Sequence, residues 1–193
     1  METFHSIQGE GAHSGRSAFF IRLAGCDVGC HWCDVKESWN VDKSQLRTIS
    51  SILEELVKEP CAFVVITGGE PCIFDLGPLT KALIDFGLQV HLETSGAYPL
   101  SGEWHWICFS PKKFKAPLEE FYQKAHELKT VIFNKSDIAW TQEHIDKMNR
   151  EAQIYLQPEW GKKDEVMPII VEAIKQDPRI RISIQIHKYL NIP

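Results

Sequence analysis

The 193 residues fit a single domain, 1–193, and a content of 44% hydrophobic and 24% charged residues is that of a globular protein with its own core. A formal charge of −5 argues against a nucleic-acid partner, and no apolar run approaches the roughly 18 residues of a membrane span. The opening Met-Glu-Thr-Phe-His-Ser lacks the basic start and apolar stretch of an export signal, which points to the cytoplasm.

In chain order, Phe4-His5-Ser6-Ile7-Gln8-Gly9-Glu10-Gly11 comes first. Its glycines predict a flexible loop that brings an amide and a carboxylate to a ring with adjacent donors and acceptors. A strand follows over 18–23; near its end, Arg22 is placed to clamp a substrate carboxylate through two parallel hydrogen bonds. Next comes Cys26-Asp27-Val28-Gly29-Cys30-His31-Trp32-Cys33, with the spacing Cys-x3-Cys-x2-Cys. Clustered cysteines in a chain of this kind serve metals or chemistry more often than disulfides. Three thiolates can hold three irons of a 4Fe–4S cubane and leave the fourth open to a small molecule. The alternative, a zinc site completed by His31, would crowd His31 and Cys33 into one tetrahedron.

Thr48 caps a helix with the apolar face Ile49, Ile52, Leu53, Leu56 and Val57, stopped by Pro60. The strand 62–67 leads into Gly68-Gly69-Glu70-Pro71, where two glycines admit a ligand close to the backbone and an acid or carbonyl can accept from an ammonium group. Cys72 follows without an assigned task, while Cys61 and Cys108 read as small buried hydrophobes. A helix carrying Leu79, Leu83 and Phe86 ends at Gly87. Strand 88–93 precedes Thr94-Ser95-Gly96, and strand 105–110 runs into Ser110-Pro111-Lys112. Residues 117–126 read as helical, 129–134 as a strand, 141–152 as a helix and 153–157 as a strand that leads into Pro158-Glu159-Trp160. A helix over 165–175 with Pro168 in its first turn and a strand over 181–186, followed by His187-Lys188, complete the pattern.

Strand–helix alternation implies parallel strands joined by crossovers. A complete eight-unit barrel takes about 250 residues, so 193 predict an α/β fold that is a partial, incomplete TIM-like barrel. Six polar loops then fall at the carboxyl ends of strands, where such folds keep their sites. That convergence predicts an enzyme in place of a binding scaffold.

The cysteine spacing and the Gly-Gly-Glu-Pro loop resemble the radical S-adenosylmethionine superfamily. The Ser6–Gly11 opening, Arg22, Trp32-Cys33-Asp34, Glu93-Thr94-Ser95-Gly96, Ser110-Pro111-Lys112, Gln157-Pro158 and the tail Gln185-Ile186-His187-Lys188 resemble one family within it, the 7-carboxy-7-deazaguanine synthases. The resemblance implies a 4Fe–4S cluster on Cys26, Cys30 and Cys33 that cleaves S-adenosylmethionine to a 5′-deoxyadenosyl radical. It implies ring contraction of 6-carboxy-5,6,7,8-tetrahydropterin, with loss of ammonia, to 7-carboxy-7-deazaguanine, a step toward queuosine. By the same resemblance Ile7, Gln8, Gly9, Glu10, Arg22, Thr67, Glu93 and His187 face the pterin, and the terminal carboxylate of Pro193 reaches it. Trp32, Asp34, Gly69, Glu70, Ser95, Ser110, Pro111, Lys112 and Gln157 are assigned to S-adenosylmethionine. A flavodoxin- or ferredoxin-type electron donor and a homodimer are also implied. Relatives that bind magnesium continue Cys-Asp with a hydroxyl residue; Val35 stands there in this chain and offers no side-chain oxygen, which leaves magnesium either bound through Asp34, substrate and water or unnecessary. The rivals are a small activating enzyme of the same superfamily acting on a protein substrate, and a non-catalytic iron–sulfur or zinc module.

Overall fold

The computed structural model describes residues 2–193. Its frame is one eight-stranded sheet in the order β1 to β8. The strands are β1 (Glu2–Ile7), β2 (Ser17–Leu23), β3 (Phe63–Gly68), β4 (Val90–Thr94), β5 (Trp106–Phe109), β6 (Glu127–Ile132), β7 (Gln153–Pro158) and β8 (Ile180–Ile182). β1 lies antiparallel on β2, and β2 to β8 run parallel. The seven expected strands are β2 to β8, and the fold is the expected partial barrel. The helices are α1 (Ile49–Leu56), α2 (Gly77–Asp85), α3 (Glu120–Lys124), α4 (Ser136–Ile145), α5 (Lys163–Gln176) and α6 (Ile186–Leu190). Among the described residues, no helix is long and apolar enough to cross a membrane.

The period of two along each strand divides the barrel chemically. Ile21, Ile66, Leu92, Phe109, Leu128 and Leu156 belong to the main core with Ile52, Leu79, Leu83 and Ile170 of the helices. The alternate positions carry Phe20 and Arg22 on β2, Val65 and Thr67 on β3, Glu93 on β4, Lys129 on β6 and Gln157 on β7. Of these, only Val65 does not line the large central cavity. Apolar residues on one face thus fix the strands, and the other face is free for polar chemistry.

Five expectations need correction. The opening is not all loop: Phe4 to Ile7 lie in β1, with Phe4 stacked on Phe20 at a centroid distance of 4.9 Å. β8 stops at Ile182, because Ser183 and Gln185 turn their side chains to Gln157 and Glu10 (2.8 Å each) and the chain leaves the ladder for α6. α4 begins at Ser136, five residues early, where the Asn134 side chain accepts from Ser136 N at 2.9 Å. It ends early too, because Asn149 turns back to donate to the Ala125 carbonyl at 2.8 Å. Pro168 stands inside α5 instead of in its first turn. Val57 and Phe86, expected on buried helix faces, are 63% and 49% exposed, beyond the last turns of α1 and α2.

The gap between the two sheet edges is bridged by short polar contacts. Ile186 N donates to Gly9 O at 3.0 Å, and Gly11 N donates to Ser183 Oγ at 2.9 Å. The loop after β1 and the segment after β8 thereby form one wall.

Candidate active site

The parallel strands point their carboxyl ends into a cavity of about 270 Å³. Every expected site residue lines it except Pro111, which is buried beside it. The site therefore has two halves, one built on the cysteine loop and the other on the loop after β1.

The cysteine loop is tied to its surroundings through its backbone. Gly25 N donates to Ser38 O at 2.7 Å and Cys26 N to Trp39 O at 3.2 Å, and Cys33 N closes a turn onto Cys30 O at 3.0 Å. Outside, Asp27 accepts from Tyr98 Oη at 2.5 Å and from Lys115 Nζ at 2.8 Å. Cys26, Cys30 and Cys33 gather with Val28, Ala97 and Trp32 in an apolar cluster, and all six cysteines are free thiols. Burial pushes the Cys30 thiol up to about 11, against the nearby Lys112, and raises Cys26 as well. Among the described residues no trio of His, Cys, Asp or Glu is drawn around a single ion. A cubane takes its thiolates at separate corners, and three thiols facing one cavity fit that demand.

The Gly68–Glu70 turn is packed against this loop. Gly68 has φ +127°, and a Cβ there would lie 2.2 Å from Leu23 O; one on Gly69 would lie 2.3 Å from Gly25 O. Only glycine lets the two turns approach so closely. The Glu70 carboxylate, 1% exposed, is fully engaged with its own fold. It accepts from Cys72 N at 3.1 Å, Thr94 Oγ1 at 2.5 Å, Ser95 N at 2.8 Å and the Ser95 hydroxyl. An ammonium ligand is therefore left the backbone of this turn to bond, the second of the two acceptors expected there. Lys112 Nζ donates to Ser110 O at 2.7 Å and lies 5.8 Å over the Trp32 ring; burial lowers its pKa. Cys72 is buried and its thiol is pushed up to about 12 by burial and by Glu70, so it is an inert neighbour. Cys108 is buried in β5 as expected, whereas Cys61 is only half-buried.

In the other half, Gln8 Nε2 donates to Glu93 Oε1 at 2.8 Å, and Gln8 Oε1 accepts from Glu10 N at 3.1 Å. Glu10 also accepts from Gln185 Nε2 at 2.8 Å and from Lys129 Nζ at 2.6 Å. Burial alone would raise the Glu10 pKa, but Lys129 and Gln185 together bring it to about 2. His187 lies over Gly9 so closely that a Cβ there would sit 2.0 Å from its Nδ1; burial lowers the pKa of this ring. Arg22 lines the cavity opposite Thr67, its Nη1 2.6 Å from Glu2 Oε1 and its guanidinium over Phe4. Pro193 O accepts from Ser6 Oγ at 2.8 Å.

Two buried residues escaped the sequence reading. Lys129 opens the strand 129–134 and carried no assigned role. Glu127 lay outside that strand altogether, yet it is 2% exposed and accepts from Ala12 N at 3.2 Å and Trp106 Nε1 at 3.1 Å. The one usable signal was parity: both lie on the inward face of β6, two residues apart.

Residues 20–107 match the family model described as the Radical SAM superfamily. Over all 193 residues the chain is 52% identical to the 7-carboxy-7-deazaguanine synthase of Flavobacterium psychrophilum and covers 91% of it. It is 46% identical to the enzyme of that name from Synechocystis sp., over 99% of this chain and 91% of the relative. The crystal structure of QueE from Escherichia coli matches with a TM-score of 0.84 at 31% identity, over 95% of this chain and 92% of that one. The likeness takes in both halves of the cavity, the loop after β1 and the segment after β8 included, and not the cysteine loop alone. On that end-to-end match, the chain belongs to the 7-carboxy-7-deazaguanine synthase family of radical S-adenosylmethionine enzymes.

Proposed function

We propose that the protein converts 6-carboxy-5,6,7,8-tetrahydropterin to 7-carboxy-7-deazaguanine and ammonia, with S-adenosylmethionine as cofactor. The observation that carries this reading is the second half of the cavity. Gln8, Glu10 and Glu93 form a hydrogen-bonded row of amide and carboxylate groups facing the same space as the three thiols. Cys26, Cys30 and Cys33 would hold a 4Fe–4S cluster that supplies the electron for reductive cleavage of S-adenosylmethionine. Around it, the loop backbone at Gly68–Glu70 would accept from the cofactor's ammonium group, and Ser95, Ser110, Lys112 and Gln157 would line the remainder of its pocket. Arg22 would pair with the pterin carboxylate, the Gln8–Glu10 loop with Glu93 would read the ring, and Thr67 and His187 would close around it. The wall formed by Ile186 and Gly9 joins the two edges of the barrel beside the cavity and argues against the activating-enzyme alternative, which needs an open groove for a protein substrate.

Anaerobic turnover of reduced, cluster-loaded protein, followed by mass spectrometry, tests the reading. The deazapurine acid should appear with the tetrahydropterin; cleavage of S-adenosylmethionine without it would overturn the substrate assignment. The remaining expectations belong to the same proposal. They are one domain over 1–193, supported by a single sheet among the described residues, together with a homodimer, a flavodoxin- or ferredoxin-type donor and a cytoplasmic setting.

The donor set beside the cysteines does not fit magnesium. Val35 lines the cavity without a side-chain oxygen, its carbonyl taken by Ser38, and Asp34 is paired with Lys188 at 2.7 Å and with Gln185 at 3.4 Å. A hard cation needs oxygen ligands. Turnover is accordingly expected to survive chelation better than in relatives with a hydroxyl at this position, and Val35→Thr is expected to raise the response to the ion. Rates with magnesium and with chelator on both proteins measure this; strict dependence in the native chain would show that another oxygen stands in.

A further inference from the structure

The inward face of β6 carries a cation to which nothing above gives a task. The Lys129 side chain is 4% exposed and lies at the cavity wall. Its Nζ stands 2.6 Å from Glu10 Oε2 and 3.4 Å from Glu93 Oε2. The other oxygen of each acid is held separately, Glu10 Oε1 by Gln185 and Glu93 Oε1 by Gln8, at 2.8 Å each. Among the described residues, Lys129 is the only side chain that bonds both carboxylates.

Two carboxylates that share one ammonium would repel each other without it, and the repulsion would push Glu10 toward its protonated form. A protonated acid donates one hydrogen bond in place of accepting several. The aminopyrimidinone edge of a pterin presents an amino group beside a ring N–H, a pair of donors that asks for acceptors. We propose that Lys129 is a positioning residue for that edge: it clamps Glu10 and Glu93 at one spacing and keeps both as acceptors. The proposal rests on the substrate reading given above.

The charges add up for this role. One ammonium against two carboxylates leaves a net negative pocket, which suits a donor edge and sends the substrate's own carboxylate to Arg22. Glu127, the next inward group on β6, stands on the same negative side of the balance, although burial raises its pKa against the pull of Lys129. Across on β5, Cys108 is raised further by burial and Glu127, and so stays a neutral thiol. His187 faces the group from α6 with its pKa lowered by burial, and Lys112 faces it from the loop after β5. Burial works against the Lys129 ammonium, but the acidic groups around it, Cys108, Glu10, Glu93 and Glu127 together, outweigh it and hold its pKa well above the ordinary value.

Steady-state kinetics of cluster-loaded Lys129→Met against the native protein test this. The variant should raise KM for the tetrahydropterin roughly tenfold, the scale of a lost charge-assisted contact, and leave kcat much less affected. The sign of the pH effect follows from Glu10. Its pKa is depressed by Lys129, so removing the cation lets it rise, and the acid limb of kcat/KM moves to higher pH. Lys129→Arg, which keeps the charge, should leave the acid limb near its native position. Iron content equal to native in each variant certifies the fold. Should the methionine variant not fold, Lys129→Gln carries the same expectation for KM and the acid limb. A native KM and an unmoved acid limb in a folded, uncharged variant would overturn the proposal. A native protein that cleaves S-adenosylmethionine but ignores the tetrahydropterin would instead sink the substrate reading.

Discussion

Replacing Cys26, Cys30 or Cys33 singly with alanine is expected to abolish turnover and to lower the iron bound per chain, whereas Cys61→Ala and Cys108→Ala keep their iron. The three loop thiols share one apolar cluster at the cavity wall. Each would hold one corner of a cubane, and no other cysteine lines that wall to replace it. Because burial raises the thiols of Cys26 and Cys30, iron must displace their protons to bind, so the whole set acts together. Cys108 is 4% exposed in β5, and its truncation opens a small void at some cost in stability, with the loop untouched. Iron analysis and activity on all five variants would decide. Full activity in any loop variant would remove the cluster from these residues.

Glu70→Ala is expected to be the most damaging change outside the cysteines. The carboxylate takes four donors, two from the β4 end at Ser95, one from Thr94 and one from Cys72, in a position only 1% exposed. Alanine strands those donors in the interior, where an unmet polar group costs about 1–3 kcal/mol. Destabilisation of about 3 kcal/mol or more is expected by denaturant unfolding, together with loss of S-adenosylmethionine binding as the two loops part. Glu70→Gln keeps one acceptor oxygen and should lie between. Native stability in the alanine variant would mean that the two loops hold together without this carboxylate.

The sequence made the rim legible and its foundations less so. Cysteine spacing, paired glycines and the Gln8–Glu10 stretch announce chemistry through residue type alone, and alternation places each after a strand. β1 was hidden because its residues are half-exposed and alternate only weakly, so nothing in Glu-Thr-Phe-His-Ser-Ile separates a strand from a polar loop. Lys129 was hidden for a different reason. A lysine is read as solvated unless its partner is known, and Glu10 lies 119 residues away in the chain. The displaced start of α4 shows the same limit at short range. Thr141 looked like a beginning, but it is buried within the helix and bonds back to Asp137 O at 2.7 Å, while the side chain of Asn134 makes the actual entry.

The wall that joins the loop after β1 to the segment after β8 also orders events in time. Glu70 meets Ser95 across 25 residues, whereas Gln185 meets Glu10 across 175. Closing the longer loop costs about 2 kcal/mol more in chain entropy, and contacts of long separation form late in folding. The half of the cavity that carries the cysteines is thus assembled from near neighbours, and the half that reads the ring is assembled last. On heating or in denaturant the ring-reading wall is accordingly expected to open before the cysteine loop.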